Sequence, residues 1–204
     1  MKTLGQPGRK ARLRRGQIHT GHADLGKSEL TGPLPDFRNQ LRTVDLSAVE
    51  RHLPIVETAT WTSEEDTHAL AARLAGHPSI ANAFIELRGE LGAGKTTFVR
   101  HLLQALGVQG RIKSPTYAVV EPYELERLNI WHFDFYRFND PREWEDAGFR
   151  DIFSSPGLKL AEWPDKAAGL LPAADLVLHI EMQADETRQV SLQAQTATGR
   201  ELLA

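Results

Sequence analysis

The segment Gly89-Glu90-Leu91-Gly92-Ala93-Gly94-Lys95-Thr96 is a complete phosphate-binding loop, and such a loop works only between a strand and a helix. Gly89, Gly92 and Gly94 admit backbone conformations that a Cβ forbids, so successive N–H groups can converge on phosphate oxygens. Lys95 supplies a cation for the β and γ phosphates, and the Thr96 hydroxyl is placed to ligate magnesium. The flanks agree with the loop. Residues 80–87 read as a largely buried strand, and residues 97–106 as an amphipathic helix closed by Gly107 at the C′ position. A glycine-rich turn that matches by chance would lack both flanks, so the pattern predicts a nucleoside triphosphate as ligand.

The rest of the composition bounds the chain without specifying it. At 204 residues, 41% hydrophobic and 25% charged, it is long enough for one sizeable core, since single domains run roughly 100–200 residues. No apolar run approaches the roughly 18 residues of a membrane-spanning helix, so a membrane partner is not expected. The absence of cysteine excludes disulfides and thiolate metal sites and suits a reducing compartment; a cytoplasmic location is the expectation. A net charge of −3 gives no overall attraction to nucleic acid, so contact with RNA requires a local basic patch or a partner protein.

The first 54 residues differ in kind. Lys2, Arg9, Lys10, Arg12, Arg14 and Arg15 occur within the first 20 positions with no acidic residue, and glycine and proline punctuate the segment from Gly5 to Pro35. Such a composition buries little, so residues 1–54 read as a basic extension, disordered to about Leu46. A solvated extension is the favoured reading, with an RNA contact or a targeting peptide as its alternatives. Residues 55–204 form the expected domain. Ser63 and Asp66 make a capping-box-like helix start over Ala69, Leu70, Arg73 and Leu74, ending near Gly76. Residues 117–123 and 128–134 read as a hairpin, a short helix starts at Pro141, residues 158–163 read as a buried strand, and 176–180 with 190–194 form a last alternating pair.

Hydrolysis of a triphosphate also needs a carboxylate for magnesium, a group that senses the γ phosphate, and a means of positioning water. Asp134 closes a strand-like run, where an acidic residue can reach the metal from a neighbouring strand's carboxyl end. Thr116 lies in Lys113-Ser114-Pro115-Thr116-Tyr117, about twenty residues past Lys95, where a switch segment can fold over the γ phosphate; a plain turn would use the same residues. Glu162 ends the apolar run 158–161 before Trp163-Pro164, and its carboxylate is expected at the same rim as Asp134 and Lys95, ordering or deprotonating water or completing the metal's outer shell. Trp163 is read either as stacking on a base or a partner or as simple packing. His132 and His101 read as packing or hydrogen-bonding histidines, and no spacing suggests zinc.

Four blocks in this order, 89–98, Lys-Ser-Pro-Thr-Tyr at 113–117, His-Phe-Asp-Phe-Tyr-Arg at 132–137 and Glu-Trp-Pro at 162–164, resemble the bacterial TsaE family, also called YjeE. The resemblance runs from about Ile55 to the C-terminus and leaves the basic extension unaccounted for. It implies a small P-loop ATPase, weak alone, needed to form N6-threonylcarbamoyladenosine beside the tRNA anticodon. The family is not the transferase. It binds the TsaB–TsaD heterodimer, in which TsaD transfers the threonylcarbamoyl group from an adenylate made by TsaC, and it meets tRNA only through that complex.

Carried over by position, the resemblance implies ATP and Mg2+ held by Glu90, Leu91, Gly92, Ala93, Gly94, Lys95, Thr96 and Thr97, with Thr96, Asp134 and Glu162 toward the metal. Thr116 becomes the switch threonine, Glu162 the magnesium-linked or catalytic glutamate, and Trp163 the tryptophan near the nucleotide. Arg188 matches a C-terminal arginine near the site, and the first helix would bring Ser63–Asp66, Glu65 included, near the adenine.

Three rival classes remain. A small-molecule kinase usually needs a lid with several arginines, and Tyr136-Arg137 does not make one. A GTPase lacks support because no Asn-Lys-x-Asp segment occurs. A nucleotide-bound scaffold that never hydrolyses shares every binding motif. The expected fold is a three-layer α/β/α P-loop arrangement with a mainly parallel central sheet and antiparallel strands at its edges.

Overall fold

Alternation along the strands sends apolar side chains to two faces of a single sheet, and each face is covered by helices. The structure, a computed structural model, describes residues 55–115 and 117–204. The strands are β1 (Ile55–Trp61), β2 (Phe84–Arg88), β3 (Val120–Leu125), β4 (Leu128–Asp134), β5 (Leu158–Glu162), β6 (Leu176–Met182) and β7 (Arg188–Ala194). The helices are α1 (Glu64–Ala75), α2 (Lys95–Ala105), α3 (Pro141–Asp146), α4 (Phe149–Ser154) and α5 (Ala197–Leu203). The seven strands lie in the order β1-β7-β6-β2-β5-β4-β3. The central strands β6, β2, β5 and β4 run parallel, while β3 on β4, β7 on β6 and β1 on β7 are antiparallel. This is the expected parallel centre with antiparallel edges.

One face carries Ile85, Leu87, Ile130, Leu158 and Leu160 against Leu74 of α1, Phe98 and Leu102 of α2 and Leu202 of α5. The other face carries Phe84, Phe133 and Ala161 against Trp144 of α3 and Phe149 of α4. The second cluster is aromatic: the Phe133 ring lies 5.5 Å from Phe135, 5.3 Å from Phe149 and 5.0 Å from Phe153. Such ring pairs add about 0.5–1.5 kcal/mol each beyond area burial. Three layers result, with α1, α2 and α5 on one side and α3 and α4 on the other.

Several boundaries differ from the sequence expectation, each for a local reason. Residues 80–87 do not form one strand. Pro78 opens a 3-10 turn, Pro78–Asn82, in which His77 Nδ1 accepts the Ser79 N–H at 3.2 Å, and β2 begins only at Phe84. The hairpin strand expected from residue 117 begins at Val120, because Val119 sits at φ 65° and turns the chain there. Helix α2 starts at Lys95, two residues before the expected start at 97, since Gly94 at φ 114° serves as its N-cap. Strand β1 was not expected: it is an edge strand exposed along most of its length, so it shows no apolar alternation. The capping box is present in its carboxylate half, with the Ser63 N–H donating to Asp66 at 3.0 Å and the Thr62 N–H at 2.7 Å. The basic extension expected over residues 1–54 lies outside the described residues.

Candidate functional site

Parallel strands β2, β5 and β4 end at one rim, and helix α2 begins there. The loop 89–94 joins β2 to α2, and its close fit is enforced at Gly89, where a Cβ would stand 2.2 Å from the Ile180 carbonyl oxygen at a backbone φ of +135°. Gly94, as N-cap, has no side chain to satisfy the first N–H groups of α2, which therefore remain available to an anion. A cavity of about 260 Å³ opens at this point, lined by Leu91, Gly92, Gly94, Lys95, Thr96, Thr97, Ser114, Asp134, Tyr136, Glu162 and Trp163.

Lys95 is 4% exposed. Its ammonium donates to the carbonyls of Gly89 at 2.7 Å and Glu90 at 2.9 Å and lies 3.9 Å from the centre of the Trp163 ring. Burial pulls its pKa below the ordinary lysine value, against the opposing attraction of Glu162, Asp134 and Glu90. Trp163 takes a left-handed conformation, φ 57°, rare for a side chain of its size, and its ring lies 5.0 Å from that of Tyr136.

Register brings the two predicted carboxylates side by side. Asp134 and Glu162 are direct partners across β4 and β5, on the face that α2 covers. Thr96, in the first turn of α2, donates its hydroxyl toward both Glu162 oxygens, each at 2.9 Å. His132, two residues before Asp134 and on the same face, places Nε2 2.9 Å from Glu162 Oε1, with both side chains buried. Asp134 accepts the Tyr136 N–H at 3.0 Å on Oδ1, and the Ser114 hydroxyl on Oδ2. The Asp134 N–H donates to the Val119 carbonyl at 2.8 Å, and the Val119 N–H to that of Pro115 at 2.7 Å, which ties the loop before β3 to the end of β4. A β-branched residue held at φ 65° costs on the order of 1–3 kcal/mol, so this tie is bought with strain.

The remaining predicted residues fall in different places. Ala93 is buried within the loop, and Glu90 contributes its carbonyl to Lys95. Arg188, at the start of β7, donates from Nε to the Ala93 carbonyl at 3.0 Å and from Nη1 to the Glu186 carbonyl at 3.2 Å; it braces the loop beside Gly94 and is not among the cavity-lining residues. Glu65 is exposed on α1, 3.4 Å from His68, and does not line the cavity. Thr116 lies outside the described residues. Sequence reasoning missed Ser114, Tyr136 and the contact made by His132. Each stands inside a block already singled out, and the two-residue spacing of His132 and Asp134 is the signal that they share a face.

Among the described residues no group of three or more His, Cys, Asp or Glu side chains is arranged to hold a metal ion. The donor set of Thr96, Asp134 and Glu162 nevertheless fits magnesium, which prefers hard oxygen ligands and takes few from protein beside phosphate and water. No helix among the described residues is long and apolar enough to cross a membrane.

Sheet order, loop and cavity together define a protein of the α/β P-loop NTPase fold. The family model described as threonylcarbamoyl adenosine biosynthesis protein TsaE matches residues 61–190, and the chain belongs to the TsaE family. It is 45% identical over 119 residues to the tRNA threonylcarbamoyladenosine biosynthesis protein TsaE of Haemophilus influenzae, covering 58% of this chain and 75% of that protein. The protein of the same name from Aquifex aeolicus is 36% identical over 142 residues, 69% of this chain and 98% of the relative. The crystal structure of YdiB from Bacillus subtilis superposes with a TM-score of 0.60 at 25% identity, covering 74% of this chain and 94% of YdiB.

Proposed function

We propose that this chain is the ATPase component required to form N6-threonylcarbamoyladenosine next to the tRNA anticodon, binding and hydrolysing Mg-ATP in complex with a TsaB–TsaD heterodimer without being the transferase. The observation that carries the reading is the convergence of Lys95, Thr96, Asp134 and Glu162 on one cavity at the start of α2. Membership of the TsaE family supports the tRNA assignment.

In this reading the amides of residues 90–96 and the Lys95 ammonium hold the phosphates. Lys95 exchanges the carbonyls of Gly89 and Glu90 for phosphate oxygens, a trade made easier by a charge already stripped of water. Thr96, with Asp134 and Glu162, offers hard oxygen atoms to the metal, which when bound neutralises charge on the β and γ phosphates. Glu162 orients or deprotonates the attacking water. Trp163 borders both the cavity at the loop and the groove beside Arg88 and Asp165, so it can report on either side.

A scaffold that binds ATP without cleaving it would use the same loop. Phosphate release by the purified chain, alone and with TsaB and TsaD, separates the two. A strong rise with the partners is expected, and unchanged turnover in a verified ternary complex counts against the proposal.

A further inference from the structure

His132 is wholly buried, and its Nδ1 has no hydrogen-bond partner among the described residues. The neighbouring core positions on that face, Ile130 and Leu160, are apolar. An apolar side chain at 132 would fill the same space without an orphaned polar atom, so packing does not account for a histidine there. Its other nitrogen does. Nε2 lies 2.9 Å from Glu162 Oε1, and a carboxylate only accepts, so in this contact Nε2 carries a proton.

Glu162 itself is 2% exposed and leaves the strand end toward the start of α2. Among the described residues Oε1 receives both His132 and the Thr96 hydroxyl, and Oε2 receives Thr96 alone. The two contacts act on the same carboxylate from different elements, β4 and α2. If a ligand draws Thr96 away, His132 is the contact that still fixes the carboxylate's rotation.

We propose that His132 is a positioning residue for Glu162: its Nε2–H pins Oε1, so that Oε2 is the oxygen presented to the metal-bound or attacking water. The proposal rests on the reading of Glu162 given above, and it assigns His132 no contact with nucleotide.

The test begins without activity. A long-range proton–nitrogen correlation spectrum of the nucleotide-free chain, assigned by loss of its signal in His132→Gln, is expected to show the Nε2–H tautomer with a downfield proton that moves upfield in Glu162→Gln, where the acceptor is no longer charged. An Nδ1–H tautomer, or a signal indifferent to Glu162→Gln, overturns the proposal.

Hydrolysis in the complex with TsaB and TsaD then separates positioning from bulk. His132→Leu should lower kcat roughly 10- to 100-fold, the usual loss when an outer partner of a ligand is removed, with KM for Mg-ATP within about two-fold. His132→Gln, which keeps an N–H donor near the Nε2 position, should recover most of that loss. Added to Glu162→Gln, His132→Leu should cost nothing further. Equal loss in the Gln and Leu variants, or an additive double variant, refutes it; should the Leu variant fail to fold, the Gln variant and the spectrum decide. A wild-type complex that hydrolyses nothing sinks the ATPase reading alone, and the spectrum still judges the hydrogen bond.

Discussion

The Thr96 hydroxyl stands 2.9 Å from each carboxylate oxygen of Glu162, joining the first turn of α2 to the end of β5 across 66 residues of sequence. One proton is shared between two acceptors, and both partners are oxygen donors of the kind a hard cation prefers. The contact therefore ties the start of α2 directly to the end of β5.

That relationship sets the expected behaviour of Glu162→Ala. In the proposed reading phosphate binding depends on the loop amides and Lys95, which the substitution leaves in place, so Mg-ATP affinity should stay within about ten-fold while turnover falls on the order of 100-fold or more, the usual worth of a general base. Calorimetry against phosphate release makes the comparison. Equal loss of both in a folded variant rules out the role given to Glu162.

Gly89→Ala tests whether the loop is held from below. The added Cβ would meet the Ile180 carbonyl, a backbone atom that cannot swing aside, at a φ that side chains rarely adopt. A loss of at least about 2 kcal/mol is expected from strain of this kind together with the clash. Urea unfolding measures it, and a variant of wild-type stability would mean that the loop and β6 are not in contact in solution.

Much of this was legible in the sequence where local chemistry and burial agree. The loop, the capping box at Ser63, the hairpin β3–β4 and the buried β5 all carry patterns that depend on neighbours close in the chain. The edge strand β1 does not: exposed along most of its length, it owes its conformation to β7, 127 residues or more away, through pairs such as Trp61 with Arg188 and Thr58 with Ser191. The rim of acids was legible as two strand ends, but the contact of His132 with Glu162 requires knowing that β4 and β5 are neighbours, and strand order is not written in either strand. Glu65, which the resemblance places near the adenine, is exposed on α1 beside His68 and does not line the cavity at the loop.

Lys159 offers a pH-dependent test outside the site. Buried in β5, it donates to the Ser155 carbonyl and lies 5.2 Å from the Trp131 ring, with no paired carboxylate among the described residues. Burial lowers its pKa from the ordinary value of 10.5. Between the lowered and the ordinary value the unfolded chain holds more protons than the folded one, so this lysine makes stability rise with pH in that window. Lys159→Met removes the contribution, while the opposing effect of Tyr123, whose pKa burial raises, is common to both proteins. The urea midpoint should therefore gain more from pH 7.5 to about pH 10 in the wild type than in the variant. Identical gains would show that the ammonium is hydrated in solution.

In the proposed reading, the contact of Lys95 with Trp163 turns nucleotide binding into an optical signal. An ammonium 3.9 Å from an indole centre perturbs its excited state, and phosphate must compete with the carbonyls of Gly89 and Glu90 for the same three N–H donors. Mg-ATP should therefore change tryptophan emission. The chain has four tryptophans; Trp61 and Trp144 are core residues, Trp131 lies beside Lys159, and of the four Trp163 alone lines the cavity, so Trp163→Phe should abolish most of the change while preserving the calorimetric affinity within a few-fold, as the loop amides and Lys95 are left in place. Lys95→Ala should weaken binding by roughly 10- to 100-fold or more, the worth of charged hydrogen bonds. It should also shift the emission of the nucleotide-free protein toward that of the wild type with ATP, because both lack the cation over the ring. A Lys95→Ala protein whose resting emission matches the nucleotide-free wild type would place the ammonium elsewhere and remove the link between loop and indole.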